Sequence, residues 1–353
     1  MNAMHKNEPL VGVLMGDPCG VGPELVSRIL TQEEPRSTRQ VVIGDPEVLA
    51  LGDERTGLMS TIQVVDDLTD IDFKDPAVPF LRIPVSSFSV EDFAQRAPNP
   101  VAGQYTMEVL HQALDLASQR QIDAVAYGPM SKVAMNMAGW HFRDGIDVCT
   151  THLGYSGVAS EINVMDDLWV ARVTSHVPIR SVPDLLTVER VKAVITLLHR
   201  AMTAAGRKNT KIAVSGLNPH CGENGLCGME EVDVILPAME AAKAEGVDVV
   251  GPIPGDTIYV EARRNNYAGI VSMYHDQCQV ANKLLQFETG IAVHGGSPVP
   301  TVTVGHGTAF DIVGKGVANP QAMQRAIEVA AIICSNRGLY EGAGTAASPR
   351  LDR

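Results

Sequence analysis

Three histidines, each a few residues past an apolar run, are the side chains of this sequence best suited to chemistry. His275 follows residues 268–273 in the stretch Met273-Tyr274-His275-Asp276-Gln277, His176 follows residues 169–174, and His220 follows residues 211–215 in Gly216-Leu217-Asn218-Pro219-His220. Neutral imidazole is the commonest protein ligand for a divalent ion, and three of them leave coordination positions open for a substrate oxygen. A single histidine in such a setting more often satisfies a hydrogen bond in a turn, and spacing alone does not bring the three together. No H-E-x-x-H pattern is present.

The elements that must position these residues are the runs before them. Short apolar runs bounded by polar turn residues read as buried strands, and open α/β sheets bind ligands beyond the carboxyl ends of their strands. Residues 11–15 form the first such strand. It breaks into Gly16-Asp17-Pro18-Cys19-Gly20-Val21-Gly22-Pro23-Glu24, after which residues 25–30 resume at helical spacing. Pro23 suits a first helical turn, and the turn either offers its amides to an anion or is purely structural. It is not G-x-G-x-x-G, because Leu25 stands three past Gly22.

Residues 40–44 are the next strand, and the segment to about 99 is expected to be irregular. Asn99-Pro100 then opens an amphipathic helix to about 120, followed by a strand at 122–127 and by Lys132, which is open to an anion or to solvent. Further helices are expected at 188–202, capped by Thr187, at 230–245, stopped by Gly246, and at 320–336. A strand at 247–250 leads into a rigid loop at 251–257, and the tail after Tyr340 is expected to fray. This alternation is α/β, with a largely parallel sheet covered on both faces.

The chain has 353 residues, enough for two domains or one large α/β unit, and 45% hydrophobic content assures a sizeable core. A formal charge of -13 with no clustered Lys or Arg excludes a nucleic-acid binder and leaves small molecules as partners. The six cysteines form no C-x-x-C pair, so reduced thiols are expected, with Cys221 and Cys278 as small buried hydrophobes beside two of the histidines. Residues 1–10 lack an apolar signal core and no apolar run reaches membrane length, so the expected location is cytoplasmic.

The run Gly305-His306-Gly307-Thr308-Ala309-Phe310-Asp311-Ile312-Val313-Gly314-Lys315-Gly316-Val317-Ala318-Asn319-Pro320 resembles the adenosine-binding loop of the isopropylmalate and isocitrate dehydrogenases. The resemblance implies NAD binding by His306, Gly307, Thr308, Ala309, Asp311 and Asn319. A carboxylate at Asp311 would accept from the adenosine ribose and repel a 2′-phosphate, favouring NAD over NADP. With residues 15–24, 216–223, Gly255-Asp256-Thr257 and 273–277, the chain is identified as a member of the 4-hydroxythreonine-4-phosphate dehydrogenase family of pyridoxal phosphate biosynthesis. These motifs fall in family order from residue 10 to about 335.

What that membership implies is a homodimeric NAD-dependent oxidoreductase with two α/β/α domains around a cleft, isocitrate/isopropylmalate dehydrogenase-like. One domain spans 1–128 plus 297–353 and holds the cofactor loop; the other spans 129–296 and holds the metal and substrate residues. Ligands to a divalent ion carry over to His176, His220 and His275, with zinc first and manganese, magnesium or cobalt as alternatives. Lys283 matches an anion-contacting lysine, and Asp256 and Asp276 match acidic positions near the metal, so these three are the candidates for proton transfer. The implied reaction oxidises a β-hydroxy acid and promotes its decarboxylation.

Departures bear on the substrate. Where the family carries Gly-His-Thr-Glu this chain has residues 142–147, and an expected asparagine and arginine become Ala292 and Thr301. Lys283-Leu284-Leu285 and Gly295-Gly296 look more like the branch that oxidises the terephthalate cis-dihydrodiol, in which Arg143 would pair with a substrate carboxylate and Thr150, Thr151 or His152 would replace the lost pair. A phosphate acyltransferase, which shares the architecture, is the reading from another class.

Overall fold

A computed structural model describes residues 8–32, 38–285 and 289–340. Its strands, in chain order, are β1 Leu10–Leu14, β2 Arg39–Gly44, β3 Ile62–Val65, β4 Val78–Arg82, β5 Ala124–Tyr127, β6 Ser160–Met165, β7 Leu168–Arg172, β8 Ile212–Ser215, β9 Val249–Ile253, β10 Gly269–Ser272, β11 Ile291–Gly295 and β12 Thr301–Val304. The chain divides into two compact units, Met1–Tyr155 with Pro298–Ser335, and Ser156–Ser297 with Asn336–Arg353.

In the first unit the strand order is β3-β4-β2-β1-β5-β12, and each pairing is parallel. β1 and β5 are buried along their whole length, as all-parallel strands covered on both faces must be. The helix Pro100–Ser118 begins as expected: Asn99 Oδ1 accepts from the amide of Ala102 at 2.8 Å, and Pro100 occupies the first turn, where no amide is needed. Its apolar face buries Met107, Leu110 and Leu114, each contributing roughly 1.5–3 kcal/mol.

In the second unit the order is β11-β6-β7-β10-β8-β9. β7, β10, β8 and β9 run parallel, but β6 is antiparallel to both β7 and β11, a departure from the uniform alternation expected. The reversal follows from the two-residue connection Asp166-Asp167, too short for a crossover helix. The helix Val188–Ala204 is capped by Thr187 Oγ1, 3.2 Å from the amide of Arg190, and buries Val191, Val194, Ile195 and Leu198.

Other expectations are corrected. The stretch to residue 99 contains the helix Pro46–Thr56, capped by Asp45, and the strands β3 and β4. β9 takes in Gly251, Pro252 and Ile253, which the sequence suggested as loop. The turn at 16–24 is buried, and its amides from 19 to 21 are committed: Cys19 to Asp17 Oδ1, Gly20 to the Asp17 carbonyl and Val21 to the Thr308 carbonyl. It is a structural turn rather than an anion cradle. Residues 129–155 group with the first unit, where the helix Gly145–His152 docks on Pro100–Ser118 through His152 Nε2 and Asp115 Oδ1, 2.8 Å apart. Residues 336–340 group with the second, where Asn336 Nδ2 donates to the Ala204 carbonyl and Tyr340 Oη to that of His294. The tail after Tyr340 lies outside the described residues.

Candidate active site

Within the second unit, the three histidine loops leave the carboxyl ends of adjacent parallel strands. β10 lies between β7 and β8, in register with each, so residues that follow the three strands emerge along one edge of the sheet. Thr174 stitches two of these loops: its amide and its hydroxyl both donate to the Met273 carbonyl, at 3.1 and 2.8 Å. His176 then turns through a left-handed backbone conformation (φ 52°), and His275 opens the helix His275–Leu285. The two rings come together, with centroids 5.2 Å apart and planes at 43°.

His275 Nδ1 lies 2.7 Å from Asp276 Oδ1. A carboxylate only accepts, so in the neutral ring the proton sits on Nδ1 and the lone pair on Nε2, the arrangement that orients a metal-binding imidazole. His176 Nδ1 faces the Ser175 hydroxyl at 3.3 Å. The donor chemistry of the pair therefore suits a divalent ion. His220 is not joined to it: among the described residues no three His, Cys, Asp or Glu side chains gather closely enough to hold a metal. His220 begins a run of left-handed residues, 220–224, and is exposed. Such backbone costs on the order of 1–2 kcal/mol per non-glycine residue. The loop is anchored by buried Glu231, whose Oε1 accepts the amides of Leu217 and Asn218, each at 2.7 Å.

Gln277 links the loops from beneath. Its Oε1 accepts the Met273 amide at 2.6 Å and its Nε2 donates to the Gly216 carbonyl at 2.8 Å, while a Cβ on Gly255 would stand only 2.8 Å from that nitrogen. Asp256 is therefore carried next to the loop bearing His220, and its charge reaches Cys221, whose thiol is pushed up chiefly by burial and further by Glu231 and Asp256. Burial likewise pushes the Cys278 thiol up to about 11, against the pull of Arg172. Both thiols stay protonated at neutral pH, in keeping with small apolar roles. Lys283 is exposed in the last turn of the helix His275–Leu285.

The loop at 305–319 belongs to the first unit. The Thr308 carbonyl receives the Val21 amide at 3.0 Å, Glu24 Oε1 accepts the Gly314 amide at 2.8 Å, and Arg28 Nη2 donates to the Gly316 carbonyl at 2.5 Å. Ala309 takes a left-handed conformation before the single turn Phe310–Ile312, and Asp311 is exposed. His306 Nδ1 lies 2.9 Å from the Gly307 carbonyl oxygen, and Asn319 Oδ1 accepts the Gln321 amide at 3.0 Å, capping the helix Gln321–Ser335. Arg143, also in the first unit, shares its guanidinium with Asp147 at 3.2 Å, so a substrate carboxylate would compete with that side chain. Lys132 Nζ donates to the Arg143 carbonyl at 2.8 Å.

Sequence reasoning overlooked Arg172, Ser175, Glu231 and Gln277. A signal existed for the first: Arg172 is the one charged residue in the apolar run 169–174.

The fold is that of the β-decarboxylating dehydrogenases. The enzyme of that description from Thermococcus kodakarensis superposes with a TM-score of 0.50 over 90% of this chain and 81% of its own, at 17% identity, a likeness in fold alone. The chain belongs to the family described as pyridoxal phosphate biosynthetic protein PdxA, whose model matches residues 36–330. It is 36% identical over 343 residues to the 4-hydroxythreonine-4-phosphate dehydrogenase of Geobacter metallireducens, covering 97% of this chain and 100% of that protein. It is 34% identical to the D-threonate 4-phosphate dehydrogenase of Pectobacterium atrosepticum, over 91% of this chain and 98% of that protein. Among solved structures, the 4-hydroxythreonine-4-phosphate dehydrogenase of Klebsiella pneumoniae matches with a TM-score of 0.78 and 30% identity, over 95% of this chain and 100% of its own. The terephthalate 1,2-cis-dihydrodiol dehydrogenase of Burkholderia xenovorans matches at 0.63 and 26%, over 92% and 98%. The chain is thus an enzyme of the dehydrogenase class, 4-hydroxythreonine-4-phosphate dehydrogenase-like. No described helix is long and apolar enough to cross a membrane.

Proposed function

We propose that this chain is a homodimeric, cytoplasmic, NAD-linked and divalent-metal-dependent dehydrogenase that oxidises a 4-phosphorylated β-hydroxy acid and promotes its decarboxylation. His176 and His275 are the proposed ligands, with His220, which stands apart from them in this structure, as the third that family membership implies, and zinc is the first choice of ion. The observation that carries this reading is the His176–His275 pair, 5.2 Å between centroids, with the Nδ1 of His275 committed to Asp276. When bound, a divalent ion supplies Lewis acidity to a hydroxyl and its keto product, and a nicotinamide accepts hydride.

The chain's own groups do the rest. Asp276 holds His275 in its Nδ1–H form, which leaves Asp256 and Lys283 as the groups for proton transfer. Lys283, exposed on the same helix as His275, offers an ammonium to a phosphate or carboxylate. Residues 306–309, Asp311 and Asn319 form the proposed adenosine-binding loop, fastened to the first strand–helix turn. A phosphorylated substrate is favoured over a dihydrodiol dicarboxylate because relatives with the phosphorylated substrates in their names are 30–40% identical, against 26% for the dihydrodiol enzyme.

The test is formation of reduced nicotinamide from 4-hydroxythreonine 4-phosphate, D-threonate 4-phosphate and the terephthalate dihydrodiol, before and after chelation. Turnover of a phosphorylated acid, lost on chelation and regained with zinc, manganese, magnesium or cobalt, is expected. Turnover indifferent to thorough chelation would overturn the metal role, and turnover of the dihydrodiol alone would overturn the substrate.

A further inference from the structure

A buried guanidinium lies behind the imidazole pair. Arg172, the last residue of β7, is 3% exposed. Its Nη1 donates to Asn163 Oδ1 at 2.9 Å and its Nη2 to Glu161 Oε1 at 3.1 Å, both on β6. Its Nε donates to Ser175 Oγ at 2.9 Å, the same oxygen that stands 3.3 Å from His176 Nδ1. Cys278, whose thiol donates to the His275 carbonyl at 3.2 Å, is near enough for its charge and that of Arg172 to act on each other. Asn163 Oδ1 also accepts from Gln279 Nε2 at 3.1 Å, one turn along the helix that starts at His275. Burial opposes the charge, but Glu161 beside it keeps the guanidinium's pKa raised.

A buried charge is costly unless its donors are satisfied, and a planar guanidinium satisfies them only in fixed directions. Here those directions lead to both elements that carry the paired imidazoles. The geometry points to Arg172 as a positioning residue for the pair: through Ser175 it sets the ring of His176, and through Asn163 and Gln279 it holds the helix headed by His275. The Ser175 hydroxyl accepts from Arg172 and retains both a proton and a lone pair, so it can follow His176 in either tautomer. The functional consequence rests on the metal role proposed above; the positioning itself does not.

The test uses the full chain. Ser175→Ala cuts the link to His176 while leaving the Arg172–Glu161 pair intact, so it keeps the fold where Arg172→Met would strip the half-buried Glu161 carboxylate of its partner. Two properties are read: the imidazole 15N resonances of His176 in metal-free protein, assigned with His176→Gln, and cobalt(II) affinity with its visible spectrum. Ser175→Ala is expected to shift the His176 nitrogen signals and weaken cobalt binding about tenfold, the usual effect of losing a partner behind a ligand. Ser175→Thr, which keeps the hydroxyl, restores both. Arg172→Lys weakens cobalt binding in the wild-type background and weakens it less in Ser175→Ala, where only the arm to the His275 helix is left to lose. His176 signals unchanged in Ser175→Ala, or no recovery in Ser175→Thr, overturn the inference. Wild-type protein that takes up no cobalt through its histidines overturns the metal role instead, and the nitrogen signals then decide the positioning role alone.

Discussion

Asp276 Oδ1 accepts from His275 Nδ1 at 2.7 Å, and this contact decides which nitrogen of the neutral ring keeps its lone pair. Replacing Asp276 by alanine frees the ring to take its proton on either nitrogen. Divalent-ion affinity should fall about 10–100-fold, the range for losing such a partner, with little change in thermal stability because the carboxylate is exposed. Calorimetric titration with cobalt(II) or zinc reads the effect; an unaltered dissociation constant would show that Asp276 does not orient a ligand.

Asp17 and His111 oppose each other in their effect on acid stability. Asp17 is fully buried with Oδ2 unpartnered among the described residues, and burial pushes its carboxyl up to about 6 against the Cys19 amide and Arg55. Between its ordinary value of 3.8 and about 6 the folded chain keeps a proton that the unfolded chain has lost, so its contribution is full below that window and lost as pH rises through it. His111, stacked on His152 with centroids 4.1 Å apart, is pushed from 6.5 down to about 4 by burial and then by His152, with Asp115 opposing. There the unfolded chain takes up a proton that the folded chain refuses, and stability is lost as pH falls.

Asp17→Asn should therefore steepen the rise of stability from pH 4 to pH 6 and gain at most roughly 3 kcal/mol near neutrality, at about 1.4 kcal/mol per pKa unit. His111→Phe should leave the Asp17 slope unopposed, so that stability declines over the same interval. Urea unfolding across that range checks both; two variants with the wild-type profile would refute the pair.

Gly22 opens the helix Gly22–Leu30, and a Cβ there would lie 1.7 Å from the Met15 carbonyl oxygen. The obstacle is backbone of the residue immediately after β1, which cannot step aside without disturbing the end of that strand. Gly22→Ala should destabilise by more than about 4 kcal/mol or prevent folding. A soluble variant melting near wild type would mean that this turn is looser than described.

Asp311 is exposed on the loop fastened by Glu24 and Arg28, with a charge and no role in that fastening. If it faces the adenosine ribose, Asp311→Ser removes the repulsion of a 2′-phosphate. The ratio of kcat/KM with NADP to that with NAD should then rise on the order of tenfold or more. Steady-state kinetics with both cofactors decide the matter, and an unchanged ratio would exclude Asp311 from the adenosine site.

What is local was legible. Asn99 and Thr187 announced their helices because an N-cap acts on an amide three residues away, and the runs before His176, His220 and His275 read as strands because burial on both faces demands unbroken apolar residues. The helix Pro46–Thr56 and the edge strand β3 escaped because neither is strongly one-sided: β3 is half exposed, and acidic residues break the pattern around both.

The sequence alone determined that three imidazoles stand at strand ends, and family resemblance gave them a common purpose. Only the tertiary structure decided which of them meet. His176 and His275 pair because β7 and β10 are adjacent and parallel, with Thr174 bonded across to Met273, while His220 leaves β8 on the far side of β10 through a left-handed loop. Tertiary contact likewise decided the glycine-rich turn, open in the sequence between an anion cradle and a structural turn, as a socket for Thr308, and it made Arg172, an anomaly in an apolar run, the shared support of two distant loops. Strand order and buried hydrogen bonds join residues about a hundred or more positions apart, and no local pattern encodes them.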